Sequence, residues 1–145
     1  MSVLGTSQSG RRSGLRLLSV LRHEEAFDLT VLETRAGTLT VPRLDALPGT
    51  GLRVRLRARD IILSLKRPEA LSALNVLPGT IMFMGEAQGA SLDVTLDCGG
   101  DGLVASLTRK SAGELGLKPG LPVHAIIKSI AFDREALGGA VPGHM

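Results

Sequence analysis

Apolar and polar residues alternate along much of this chain, which is the pattern of half-buried β-strands. The alternation is clear in residues 92–97 and 103–108, and a glycine-rich loop of residues 98–102 between them is typical of a hairpin turn. It recurs in residues 27–31 and 52–59, and in the latter every second residue is an arginine. Many short strands with Gly and Pro between them predict an all-β fold of small antiparallel barrels or sandwiches.

One segment of the sequence has the features of a helix. Ser111 followed by Glu114 is typical of a capping box, and Gly116 stands where a C-terminal cap belongs. The sequence therefore predicts a single short helix of about two turns in the second half of the chain.

An internal repeat organises the rest. Pro48-Gly49 and the strand after it align with Pro119-Gly120 and its strand, 71 residues later, so that Arg57 takes the place of Lys128. We expect two OB-type barrel units in tandem, at residues 15–67 and 70–134, with flexible segments at residues 1–14 and 136–145. Chance similarity between two Pro-Gly turns is the alternative, because such turns are common.

Composition limits the classes of protein. The chain has 145 residues, is 43% apolar and 21% charged, and has a net charge of +3 with a pI near 9.6, so it can form a core and weakly favours anionic partners. We find no apolar run that could span a bilayer and no signal peptide in the first residues. A single cysteine fits a reducing cytoplasm.

Three segments of the second half combine hydroxyl and amide donors with a cation and contain almost no carboxylates. They are residues 71–79, 108–120 and 123–129. Such groups can hold a tetrahedral oxyanion, which carboxylates would repel. The arrangement resembles the molbindin domain, a module that binds molybdate and tungstate and that also occurs, as the TOBE domain, at the C-terminal end of molybdate-importer ATPases. The resemblance covers about residues 71–132.

This resemblance implies an oxyanion site shared between two chains. Its principal groups would be Lys128 as a point charge, Ser111 at a helix N-terminus, Ser72 and Thr108, with Asn75 and Ser129 secondary. The bound ligand would be molybdate or tungstate, held by hydrogen bonds rather than by direct metal ligation, with no nucleotide. One departure is that Leu74 stands where the family usually has an arginine. The full set of candidate residues is Ser72, Asn75, Thr108, Ser111, Lys128 and Ser129.

Each of these residues also has an ordinary structural explanation. Ser and Glu at the spacing of Ser111 and Glu114 commonly form an ordinary helix cap, and an asparagine such as Asn75 commonly shapes a turn. Lys128 stands in an apolar segment that predicts a core strand, where a lysine needs a partner or an exit to solvent. The arginines of residues 53–59 suit the solvated face of a strand and discourage edge pairing.

The sequence predicts a binding domain rather than an enzyme. It contains no G-x-x-x-x-G-K-[ST] loop for ATP, and its histidines are separated from one another and from Cys98, which leaves no metal-ligand spacing. We expect an accessory domain of a molybdate importer's ATP-binding subunit. It would be cytoplasmic, at the inner face of the membrane through the ATPase core and the permease, and at least dimeric, because residues 81–84 and 126–130 carry more apolar side chains than one small barrel can cover.

Three alternatives differ in their ligand. The first is a stand-alone molybdate-storage protein, and the second is a structural dimerisation module without a ligand. The third is an OB-type nucleic-acid-binding module, which the arginine row would suit. Such modules stack bases on aromatic side chains, however, and Phe27, Phe83 and Phe132 are all expected in the core. We therefore expect no nucleic-acid partner.

Overall fold

The computed structural model describes residues 12–73, 75–128 and 130–132. Nearly all regular structure in these residues is β, together with two 3₁₀ turns (Glu25–Phe27 and Ala58–Asp60) and one short α-helix, α1 (Arg109–Leu115). The all-β prediction is confirmed. The strands are β1 (Arg12–Glu24), β2 (Leu29–Glu33), β3 (Thr38–Pro42), β4 (Gly51–Arg57), β5 (Ile61–Ser64), β6 (Asn75–Met84), β7 (Ser91–Cys98), β8 (Asp101–Thr108), β9 (Pro122–Ile127) and β10 (Ala131–Phe132).

The strands form two antiparallel five-stranded sheets. Sheet A has the order β10-β4-β1-β2-β3, and sheet B has the order β5-β9-β6-β7-β8. Each sheet is completed by a strand from the other half of the chain, since β5 pairs with β9 and β10 pairs with β4. The division into units at residues 15–67 and 70–134 stays a prediction, and these two strands cross it.

The two sheets repeat one plan. If β1 to β4 are matched with β6 to β9, and β5 with β10, the order of strands is the same in both sheets. The first strand of each set also has a bulge at the same place, between Val20 and Arg22 in β1 and between Ile81 and Phe83 in β6. The internal repeat read from the sequence is therefore present in the structure.

A single apolar core joins the sheets. In β4 alternate residues are buried: Leu52, Val54 and Leu56 point inward, while the arginines between them are exposed. Buried side chains from both sheets form one contiguous cluster, which includes Leu39 and Leu77. We call the face that contributes to this cluster the inner face and the opposite one the outer face.

The ends of two hairpins pack together. Gly99 and Gly100 form the turn between β7 and β8, and both have positive φ (68° and 104°), a conformation that favours glycine. A Cβ on Gly99 would lie 2.8 Å from the backbone nitrogen of Ala36, in the turn between β2 and β3. A side chain at Gly99 would therefore separate the two turns.

Several expectations need correction. Residues 12–14 belong to β1 and not to a flexible segment, while residues 1–11 and 136–145 lie outside the described residues. Strand β4 is not an edge strand, since it pairs with both β1 and β10, so its arginines do not protect an edge. Phe27 and Phe83 are 72% and 61% exposed rather than in the core, because Phe27 lies in a 3₁₀ turn and Phe83 at the β6 bulge. The side chain of Phe132 lies outside the described set.

Candidate functional site

The helix that carries Ser111 begins earlier than the sequence predicted. Thr108, the last residue of β8, is the N-cap, and its Oγ1 accepts a hydrogen bond from the Ser111 backbone N–H at 3.0 Å. Ser111 is thus the third helical residue and not the cap, and the predicted capping box of Ser111 and Glu114 is wrong. Gly116 does end the helix with a left-handed φ of 64°, as predicted.

Two hydroxyl groups meet at the start of this helix. The Thr108 hydroxyl donates to the Ser111 Oγ at 3.0 Å, and both residues are exposed. The next two positions of the first turn are the cations Arg109 and Lys110, and this turn has no acidic residue. Cations are unfavourable at a helix N-terminus, where the dipole favours negative charge. An anion beside Thr108 and Ser111 would therefore improve the electrostatics of this turn.

Lys128 lies just beyond the strand that was expected to contain it. Strand β9 ends at Ile127, which is buried, and Lys128 is exposed. Its backbone N–H donates to the Asp60 carbonyl at 3.1 Å, which fixes the end of the strand against the 3₁₀ turn Ala58–Asp60. The lysine thus exits to solvent, and no ion pair to it occurs within residues 12–73, 75–128 and 130–132.

Asn75 joins the two sheets. It is 8% exposed, its Oδ1 accepts from the Thr40 N–H at 2.6 Å, and its Nδ2 donates to the Thr40 carbonyl at 2.9 Å. The amide therefore pairs with the backbone of β3 much as a neighbouring strand would. Nothing in the sequence around Asn75 identifies Thr40 as its partner, because the contact depends on how the sheets meet.

The candidate residues form two groups. Asn75 is the register partner of Ile127, so that Asn75 and Lys128 lie at one end of the β6–β9 pair. Thr108 and Ser111 form the second group at the end of β8, a strand that packs against β5 and the turn Ala58–Asp60. The Asp60 carbonyl of this turn accepts the Lys128 N–H, so the turn contacts the first group, and no hydrogen bond joins the two groups among the described residues.

Four further positions bear on the site. Ser72 is exposed in the bend that precedes β6, three residues before Asn75. Ser129 and Leu74 lie outside the described residues. Arg57 is the counterpart of Lys128 in the internal repeat. It ends β4 in sheet A, whereas Lys128 directly follows β9 in sheet B, and it too is exposed.

Comparison with known proteins supports this description. Residues 71–131 match the TOBE domain family. The chain is 39% identical over 142 residues to the molybdenum import ATP-binding protein ModC of Mesorhizobium japonicum, and 44% identical over 130 residues to that of Rhizobium meliloti. These alignments cover 98% and 88% of this chain but only 38% and 36% of the relatives, so the chain spans little more than a third of their length.

The fold also occurs in a solved structure. The cytoplasmic molybdate-binding protein ModG superposes with a TM-score of 0.64 over 90% of this chain and 100% of that chain, at 21% sequence identity. At this level of identity the likeness concerns the fold. Together with the family match over residues 71–131, it leads to one conclusion about the second half of the molecule. Residues 71–131 of this chain form a TOBE domain.

Proposed function

We propose that this chain is the oxyanion-binding accessory part of a molybdate importer's ATP-binding protein. The observation that carries the proposal is the alignment of nearly the whole chain with about a third of ModC from Mesorhizobium japonicum, a molybdenum import ATP-binding protein. The chain would act as a binding domain and not as the ATPase, since it has no Walker loop. Its partners would be the importer's ATPase core and permease, at the cytoplasmic face of the membrane.

The site chemistry supports a tetrahedral dianion as the ligand. Thr108 and Ser111 offer exposed hydroxyls beside two cations, and Lys128 offers an exposed ammonium group with no recorded ion pair in the described part of the chain. Molybdate and tungstate have no proton to donate near neutral pH, so they need donors and cations of this kind. Ser72, Asn75 and Ser129 would complete the shell, although Asn75 would then have to bind the anion while it holds Thr40.

We infer that two chains share each anion. One chain would contribute the group at Asn75 and Lys128, and the other would contribute Thr108 and Ser111. Apolar surface on sheet B supports self-association, since Ile62 is 55% and Met82 59% exposed. Sedimentation should therefore detect at least a dimer at micromolar concentration. A monomer with and without molybdate would contradict the shared site.

The test is a titration of the purified chain with molybdate, tungstate, sulfate and single-stranded DNA, followed by calorimetry and thermal unfolding. Molybdate or tungstate at about 100 times its dissociation constant should add about 2.7 kcal/mol to the free energy of unfolding. Sulfate should compete poorly at this site, because its smaller tetrahedron cannot reach donors placed for longer Mo–O and W–O bonds. Binding of DNA alone would favour the nucleic-acid alternative instead.

Variants locate the site. Lys128→Ala should remove most of the molybdate stabilisation, whereas Lys118→Ala, which removes the same charge from an exposed loop, should leave it. Ser111→Ala deletes a hydroxyl but keeps the backbone N–H that Thr108 caps, so it should weaken binding with little change in the unliganded protein. If Lys128→Ala binds tungstate as tightly as the parent, the site is elsewhere.

A further inference from the structure

The Asn75 amide is bound to the edge of sheet A, where β3 is the last strand. The β2–β3 turn closes with hydrogen bonds between the backbones of Thr34 and Gly37, and bonded and non-bonded pairs alternate from there along the two strands. Three pairs further along, Thr40 has a non-bonded position, so its N–H and C=O point away from β2. Asn75 binds both groups, at 2.6 and 2.9 Å.

This contact fixes the orientation of the amide. A backbone N–H donates and a carbonyl accepts, so Oδ1 must face the Thr40 N–H and Nδ2 must face the Thr40 carbonyl. Nδ2 carries two hydrogens, and one of them is used on this carbonyl. The second makes no hydrogen bond to an acceptor within residues 12–73, 75–128 and 130–132. Asn75 can therefore donate to an anion without releasing Thr40.

Lys128 is held from the same half of the chain. Its backbone N–H donates to the Asp60 carbonyl at 3.1 Å, in the 3₁₀ turn that follows β4. The register pairs Asn75 with Ile127, directly before Lys128, so the contacts with Thr40 and Asp60 both lie at one end of the β6–β9 pair. Two of the proposed anion-binding residues are thus each fixed by a backbone group that precedes the TOBE domain in sequence.

A donor of fixed orientation binds an anion better than a mobile one. It has less conformational freedom to lose when the anion binds, and this difference increases the affinity. A free amide could also turn its oxygen towards the anion, which would repel it. The Thr40 backbone excludes this second orientation, because two donors and two acceptors would then face each other.

We propose that Thr40 is a positioning residue for the oxyanion site of the TOBE domain and that it acts through Asn75. The inference rests on the function proposed above and deepens it, since it assigns sheet A a role in that site. Thr40 does not contact the anion. Loss of its bond to Asn75 lowers the affinity because the amide is then free to rotate.

A proline in place of Thr40 removes the N–H that donates to Asn75. Proline is tolerated on an edge strand where the N–H faces outward, and Pro42 already has such a position two residues later. Thr38→Pro is the matched control, because Thr38 lies two residues earlier on the same edge and does not bind Asn75. Calorimetry of the full chain with molybdate should show an affinity at least tenfold lower in Thr40→Pro and changed less than twofold in Thr38→Pro.

A double-mutant cycle separates positioning from a general loss of structure. In an Asn75→Ala background the amide is absent, so Thr40→Pro should lower the molybdate affinity less than twofold. An equal loss in both backgrounds would mean that Thr40 does not act through Asn75 and would overturn the proposal. Unchanged affinity in Thr40→Pro, or an equal loss in Thr38→Pro, would overturn it too.

The parent protein separates this inference from the proposed function. If the parent does not bind molybdate, both fail, whereas normal binding by Thr40→Pro removes the inference alone. If thermal unfolding shows that Thr40→Pro is not folded, amide exchange of the parent decides. Saturating molybdate should slow exchange at the Thr40 N–H at least fivefold, and at the Arg43 N–H, which donates to the Asp28 carbonyl just after β3, less than twofold. Equal slowing at both would overturn the proposal.

Discussion

Strands β4 and β9 hold the same place in their sheets and differ on one face. Their inner faces are apolar in both cases: Leu52, Val54 and Leu56 in β4, and Val123, Ala125 and Ile127 in β9. The outer face of β4 carries Arg53, Arg55 and Arg57, whereas the corresponding positions of β9 and the residue after it are His124, Ile126 and Lys128. Packing thus fixes one face of the repeat and leaves the other free to diverge.

The cross-strand neighbours diverge together with these residues. Arg55 lies between Gly14 and Ala131, which are small and leave room for a long solvated side chain. Ile126 lies between Ile62 and Val76, and this row is apolar across three strands. The outer face of sheet A therefore suits anions, and that of sheet B suits another apolar surface, in agreement with the self-association proposed above.

The largest effect on stability is expected from substitutions on the inner faces. Leu56→Ala and Ile127→Ala should each lower the free energy of unfolding by about 2–5 kcal/mol, because each removes a fully buried side chain from the shared core. Arg55→Ala, on the outer face of β4, should change the free energy of unfolding by less than about 0.5 kcal/mol. Urea unfolding measures all three. A large loss in only one of the two inner variants would mean that the sheets do not share one cooperative core.

A second prediction concerns a position at which the inner faces of the two sheets differ. By register Gly79 in β6 corresponds to Leu18 in β1, since they pair with Val123 and Leu52. A Cβ on Gly79 would lie 2.7 Å from the Cys98 Sγ and 3.2 Å from the Asp97 carbonyl oxygen. Gly79→Ala should therefore cost about 1–3 kcal/mol through overpacking.

The control for this prediction is Gly51→Ala, where the nearest atom to a new Cβ is the Leu18 carbonyl oxygen at 3.9 Å. It should change the free energy of unfolding by less than about 0.5 kcal/mol. In a Cys98→Ala background the cost of Gly79→Ala should fall, because one of the two close atoms is gone. An unchanged cost in that background would show that the backbone at Asp97 causes the strain.

The alternation of residues was sufficient to predict several of the strands and the two faces of β4. A period of two depends only on which side of a strand meets the core, and it placed Leu52, Val54 and Leu56 inward and the arginines outward, as observed. The hairpin at Gly99-Gly100 and the C-cap at Gly116 also followed from local chemistry, since both need positive φ. Features set by a few neighbouring residues were thus accessible from the sequence.

Features set by contacts distant in sequence were not predicted. The exchange of β5 and β10 between the sheets depends on backbone pairing that leaves no mark in the alternation. The hydrogen bonds between Asn75 and Thr40 link positions that no local pattern connects. The start of α1 was misplaced because Thr108 suits both the last position of a strand and an N-cap, so that strand and helix meet without a loop.

The smallest expected effect concerns a buried thiol that only sheet B has. Cys98 is 1% exposed, and burial, followed by the nearby charges of Asp97 and Asp101, raises its pKa from the ordinary value of 9.0 to about 12. Its counterpart at the end of β2 is Thr34, which does not titrate. Above pH 9 the unfolded chain loses this proton and the folded chain keeps it, so stability falls as pH rises from about 9 towards 12 and is unaffected below that window.

Between pH 8 and pH 10 this thiol should remove about 1.4 kcal/mol from the free energy of unfolding, given about 1.36 kcal/mol for each pH unit. Cys98→Ala lacks the titrating group, so its loss over the same range should be smaller by that amount, whatever the other titrating groups contribute to both proteins. Urea unfolding of parent and variant at pH 8, 9 and 10 measures the difference. Parallel pH profiles would mean that the thiol ionises as readily in the folded protein as in the unfolded chain.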